Sequence, residues 1–196
     1  MAEVTMTRRS RITPEREAEL YAAVLDLLRE VGYDGLTMDA VAARTRSSKA
    51  TLYRQWGSKP RLIVEALRGH KHASVDDVDT GTLHGDFHAL VMRADDCQLE
   101  QESALIRGLA MAIQAEPDLL RVFREEVIEP ELAELEVLLQ RGVERGEVSA
   151  DHPALGYVLH MLLGAFVTRT LIDDLPPTQE FLHDYVDAVI VPALGL

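Results

Sequence analysis

The chain has 196 residues, 47% of them apolar, enough to bury a full core and too many for a disordered tail. Its formal net charge is −13, and its single cysteine, Cys97, excludes an intramolecular disulfide framework and points to a reducing cytoplasm. No apolar run approaches the roughly 18 residues of a membrane span, and the first residues lack the apolar stretch of a signal peptide, so a soluble intracellular protein is expected.

Residues 1–13 carry Arg8, Arg9 and Arg11 without an apolar period and read as a flexible basic arm. Pro14 opens the first helix where its missing N–H costs nothing, with Thr13 as N-cap and Glu15 and Glu17 in the first turn. Leu20, Val24, Leu27, Leu28 and Val31 recur at helical spacing, and Gly32 marks the stop. Thr37 caps a second helix running to about Thr45, with Met38, Val41 and Ala42 facing inward. Ser48 caps a third, in which Leu52 and Trp56 pack inward and leave Lys49, Ala50, Tyr53 and Arg54 on the outer face. Lys59-Pro60 opens a fourth helix, and residues 14–69 read as a helix-turn-helix DNA-binding domain.

The polar stretch 70–85 reads as a linker to a helical domain over residues 70–196. Helices are expected at about 83–94, 102–115, 118–145, 153–174 and 178–191, with Pro130 breaking the third of these near Ile128 and Gly146 ending it. Alternating β-branched runs are absent, so the fold class is all-α: a three-helix DNA-binding domain followed by a larger helical effector-binding and dimerisation domain.

Charge separates the two parts. Residues 1–72 hold 13 of the 20 Lys and Arg and 9 of the 33 Asp and Glu, a net +4 that leaves −17 for residues 73–196. A nucleic-acid surface must therefore be confined to the first part, while the acidic remainder repels DNA everywhere else.

The segment Lys49-Ala50-Thr51-Leu52-Tyr53-Arg54-Gln55-Trp56-Gly57-Ser58-Lys59, preceded by Gly32-Tyr33, resembles the N-terminal domain of the TetR (tetracycline-repressor) family of transcriptional regulators. The remainder is similar to one subgroup of its effector domains through Asp79-Thr80-Gly81-Thr82-Leu83, Phe123-Arg124-Glu125-Glu126-Val127-Ile128-Glu129-Pro130 and Arg145-Gly146-Glu147. The resemblance implies a homodimer on a palindromic operator of double-stranded DNA, released by a small-molecule effector. It implies recognition-helix contacts from Ser48, Lys49, Ala50, Tyr53, Arg54 and Gln55, and phosphate contacts from Thr37, Thr51 and Lys59. The turn departs from the family pattern: Arg46 stands where a glycine at positive φ is usual, which strains the turn unless a phosphate contact by Arg46 offsets the cost.

His84 and His88 stand four apart on one helix face with His70 and His72 upstream, but no third ligand has a diagnostic spacing, so no metal and no cofactor is expected. The Asp76, Asp77 and Asp79 run reads as a solvated loop. Acidic neighbours make Cys97 a poor redox switch. No phosphate loop, GxSxG elbow or HExxH is present, so no enzyme is expected. Met92, Met111, Phe123, Met161 and Phe166 are candidates to line an apolar effector cavity. The helix near 153–174 is apolar nearly all round, and with the last helix it offers a dimer face of Leu155, Leu159, Leu162, Phe166, Leu182, Tyr185, Val186 and Val189. A regulator whose C-terminal half senses a protein partner, or one that activates, remains the alternative.

Overall fold

The computed structural model describes residues 13–70 and 77–196, so the expected basic arm with Arg8, Arg9 and Arg11, together with His72 and Asp76, lies outside the described residues. Every regular element among the described residues is helical. In chain order they are α1 (Pro14–Gly35), α2 (Met38–Thr45), α3 (Lys49–Trp56), α4 (Lys59–His70), α5 (Leu83–Val91) and α6 (Asp96–Ala115). There follow α7 (Pro117–Phe123), α8 (Glu129–Glu144), α9 (Val158–Asp173), α10 (Gln179–Tyr185) and α11 (Val191–Leu194). Two π-helical segments, Arg124–Ile128 and Val186–Ile190, join α7 to α8 and α10 to α11.

Local chemistry sets most boundaries. The Thr13, Thr37 and Ser48 side chains accept from the N–H groups of Arg16, Ala40 and Thr51, satisfying donors that each helix start leaves unpaired. Gly32 takes φ 70° and interrupts α1 as expected, but one more turn follows it to Gly35, closed by the Leu36 N–H on the Gly32 carbonyl. Helix α6 starts six residues before the expected Glu102, because Asp95 and Gln98 form a reciprocal capping box. The break before Pro130 takes the form of the π segment, and Pro130 stands in the first turn of α8, where its missing N–H costs little. The expected start near His152 is corrected: a short 3₁₀ turn, Leu155–Tyr157, precedes α9.

The core is in two parts, and their boundary is not the expected domain boundary. Leu20, Val24 and Leu28 of α1, Val41 of α2, Leu52 and Trp56 of α3, and Leu62 and Ile63 of α4 are buried together with Leu105, Leu109 and Ala112 of α6 and Leu119 and Val122 of α7. The N-terminal helices are therefore completed by helices of the second half, and α1 packs on both α4 and α6. The second core joins Leu83 and Phe87 of α5 to Leu135, Leu138 and Leu139 of α8, Val158 of α9, and Leu182, Val186, Ile190 and Leu194 of the last helical run.

The expected linker is also shorter than 70–85. Val78 is buried, and the carboxylate of the fully buried Asp86 accepts from the Thr80 N–H at 2.6 Å, the Thr80 hydroxyl at 2.8 Å and Arg145 at 3.0 Å. Arg145 also donates to Glu147 at 2.6 Å and to Asp79 at 3.2 Å, and Glu147 accepts from the Leu83 N–H at 2.7 Å. The Asp79 carboxylate is thus an ion-pair partner, not part of a merely solvated loop. Burial alone would raise the Asp86 pKa, but the Thr80 donors and the Arg145 guanidinium outweigh it and hold the carboxyl below its usual range. Gly142 lets α8 approach this clasp: a Cβ there would sit 2.2 Å from Leu83.

The run Leu155–Asp173, 19 residues with a mean hydropathy of 1.5, is long and apolar enough to cross a membrane by length and composition. That corrects the expectation that no such stretch exists. Only Val158 and Ala165 of α9 are fully buried, and Leu171 and Ile172 are 73% and 77% exposed.

Candidate functional site

Two sites emerge, an outer face on α3 and a cavity in the second half. Leu52 and Trp56 are buried beneath α3, and the Trp56 indole N–H donates to the Tyr21 hydroxyl at 3.3 Å. Burial pushes the Tyr21 phenol up to about 12, so it stays a neutral anchor between α1 and α3. This footing turns Lys49, Ala50, Tyr53, Arg54 and Gln55 outward, all of them exposed. Among the described residues, the side chains of Arg46, Tyr53, Arg54 and Gln55 make no hydrogen bond or ion pair. Lys49 donates to Asp39 of α2 at 2.8 Å, a bond that holds its pKa above the usual lysine value; the pair is solvent-exposed and therefore weak.

Arg46 lies between α2 and α3 at φ 50°, the left-handed conformation expected for the glycine-type position, and its N–H closes α2 on the Ala42 and Ala43 carbonyls. Thr37 and Ser48 are exposed and occupied as caps, and the Thr51 hydroxyl lies 2.8 Å from that of Ser48. Lys59 has a partner within the chain. Its ammonium donates to the Tyr33 carbonyl at 2.8 Å and lies 3.8 Å from the Tyr33 ring centroid, and burial lowers its pKa. It therefore ties α4 to the last turn of α1, a role that sequence spacing alone does not reveal.

The second half holds a partly open cavity of about 380 Å³, lined mostly by apolar side chains of α5, α6, α7, the first π segment, α8, α9 and the last helical run. Phe123 and Phe166 line it as expected. Met92 and Met111 do not: they are exposed, since α5 ends at Val91 and the outer face of α6 carries Met111 to solvent. Met161 packs on the second core without lining the cavity.

Most residues of the expected dimer face also serve the interior of the chain. Leu159, Leu162, Phe166, Leu182, Tyr185 and Val186 all border the cavity inside one chain, and Leu182 and Val186 are buried there. Leu155 and Val189 are half-buried. Around the two ends of α9, Tyr157, Leu171, Ile172 and Leu175 are exposed. An all-apolar helix gives no sequence signal for which side faces its own domain.

Fold topology also supplies what spacing concealed beside His84 and His88. The Asp187 carboxylate of the second π segment reaches both imidazoles, and His183, one turn earlier, stacks on His88. Cys97 is exposed at the start of α6.

Residues 20–66 match the family described as bacterial regulatory proteins, tetR family, and residues 77–189 match the tetracyclin repressor-like C-terminal domain. An uncharacterized HTH-type transcriptional regulator of Mycobacterium tuberculosis is 38% identical over 184 residues, spanning 91% of this chain and 88% of its own. The DNA-binding transcriptional repressor TetR of Mycobacteroides abscessus is 32% identical over 177 residues, 90% of this chain and 92% of the relative. The crystal structure of the TetR family transcription regulator SCO0332 is similar with a TM-score of 0.64 at 29% identity, covering 93% of this chain and 98% of that one.

Proposed function

The chain belongs to the TetR family of helix-turn-helix transcriptional regulators, and from that membership we propose that it is a homodimeric repressor released from a palindromic operator by a small apolar ligand. In this reading α3 enters the major groove. Arg54, Gln55 and Lys49 meet base edges, while Thr37, Thr51, Tyr53 and the Arg46 turn fix the register on phosphates. Lys49 exchanges its weak pair with Asp39 for DNA.

The observation that carries the proposal is the course of α6. Leu99, Glu102 and Ile106 near its start border the cavity, and Leu105, Leu109 and Ala112 further on lie in the core under α1 and α4. A ligand that prefers one packing of α6 shifts the DNA-binding half with it, by no more than its differential affinity for the two states. A cavity of this size falls within the range that holds small organic ligands, which also favours a small effector over a protein partner. The uncovered ends of α9 supply the dimer contact. A two-fold pairing there sets the recognition helices about one DNA turn, roughly 34–36 Å, apart.

Binding-site selection with the purified full-length chain tests this reading. An inverted repeat with half-sites one turn apart is the expected product, and Arg54→Ala should blur the preference at particular base pairs. Enrichment of no site, or of a single unrepeated half-site, would overturn it.

A further inference from the structure

On the outer seam between α5 and the last helical run, four metal-binding side chains converge that have no part in the DNA face or the cavity. His84 and His88 come from successive turns of α5, and His183 and Asp187 from successive turns of the facing helix. The Asp187 Oδ1 lies 2.7 Å from His84 Nε2 and 2.8 Å from His88 Nε2. The three ligand atoms all lie within 4.8 Å of one another. We propose that His84, His88 and Asp187 form a surface site for a divalent first-row transition ion, zinc above all, that clamps α5 to the terminal helix.

The chemistry of the donor set selects the ion. Two imidazoles and one carboxylate suit zinc, nickel or copper, and they are a poor match for magnesium or calcium, which favour all-oxygen shells. Metal–nitrogen bonds of about 2.0–2.1 Å in a tetrahedral shell place ligand atoms roughly 3.3 Å apart. The observed 2.7 and 2.8 Å spacings need only a small outward movement of His84 and Asp187, whose side chains are both half-exposed. Without an ion, each Nε2–H donates a hydrogen bond to the shared oxygen; with one, each neutral ring carries its single proton on Nδ1 instead and turns the Nε2 lone pair to the metal.

His183 makes that exchange feasible at the less exposed histidine. Its Nδ1 meets the Nδ1 of His88, and the two rings stack at 4.5 Å between centroids. When His88 carries its proton on Nδ1, His183 Nδ1 accepts it and frees His88 Nε2 for the ion. Metal-bound histidines usually donate their second ring N–H in this way, which fixes both tautomer and ring orientation. His183 is thus a positioning residue, and water completes the coordination on the exposed side.

The clamp also bears on the cavity. Leu90 and Val91, on the turn after His88, and Leu182 and Val186, each adjacent in sequence to His183 or Asp187, line its wall. An ion across the seam holds those two walls together.

The test is titration of metal-stripped full-length protein with ZnCl₂, followed by calorimetry and thermal unfolding. One zinc per chain is expected, with a higher unfolding temperature. His84→Gln and Asp187→Asn sit on the exposed rim, where neither should affect folding, and each should weaken binding by at least about tenfold, with His183→Phe weakening it less. Magnesium should give no response. Failure of the wild-type chain to bind zinc below about 0.1 mM, at the weak end of the ordinary range for protein metal sites, would overturn the proposal. So would unchanged affinity in both variants, which would place the ion at other histidines.

Discussion

Arg68 of α4 donates to Glu126 at 2.6 Å, so a helix of the DNA-binding half grips the π segment at the residue beside Val127, which lines the cavity. Arg61 reaches the same carboxylate at 3.9 Å. The pair is largely open to solvent on the arginine side, and its contribution to stability is small. Glu126→Gln should change unfolding free energy in urea by less than about 1 kcal/mol. Its effect belongs to coupling: ligand should release the variant from operator DNA less completely than the wild type, as read in a titration at saturating ligand.

Lys59→Ala should act on stability before it acts on DNA. The half-buried ammonium is held by the Tyr33 carbonyl, and losing a bond to a charged donor of this kind costs about 1–2 kcal/mol after allowing for its exposure. The dependence of operator affinity on salt should keep its wild-type slope. A slope reduced by about 2 per dimer would instead mark Lys59 as a phosphate contact.

Arg46→Gly should stabilise the ligand-free chain by about 0.5–1 kcal/mol, because glycine relieves the left-handed strain at φ 50° but gains freedom when unfolded. Operator affinity should fall if the guanidinium meets a phosphate, so thermal unfolding and a binding titration of the same variant separate the two effects.

Asp86 gives the fold a defined acid response. Its folded pKa lies below the usual aspartate value near 3.8, so its stabilising contribution is complete above that value and is lost as pH falls through it toward the folded value. Asp86→Asn leaves Arg145 beside a buried amide and should cost about 3 kcal/mol at pH 7. Urea unfolding curves of variant and wild type should draw together below about pH 4.

Ile172→Glu should yield monomers that lose operator affinity although residues 48–59 are untouched. Sedimentation at micromolar concentration reads the outcome. A wild-type chain that is already monomeric there removes the dimer from the proposed function.

Helix starts were legible at the capping side chains Thr13, Thr37, Ser48 and Thr178, but not at Pro153, where a 3₁₀ turn intervenes. The outward face of α3 followed from spacing, and the left-handed turn at Arg46 from the family resemblance. The capping box at Asp95 was equally written in the chain, and the apolar pattern starting at Glu102 drew attention away from it. What spacing could not show is which apolar face meets which: α9 is apolar on all sides, so its cavity-lining and uncovered residues look alike. Contacts across long separations were hidden for the same reason, among them Asp187 on His84 and Arg145 on Asp86. The internal partner of Lys59 was hidden because an ammonium at a helix start suits a phosphate and a carbonyl equally well.

The sharing of α6 and α7 between the two cores restricts how such chains can be recombined. Residues 13–70 expressed alone would lose Leu105, Leu109, Leu119 and Val122 from the core they share with Leu20, Val24 and Ile63. A chimera that joins this recognition module to another sensor at the apparent linker would therefore meet a foreign α6 and repack badly. The unit that can be transplanted is the recognition module together with α6, α7 and the Arg68–Glu126 link, so the choice of operator and the choice of ligand are not independently exchangeable in this architecture.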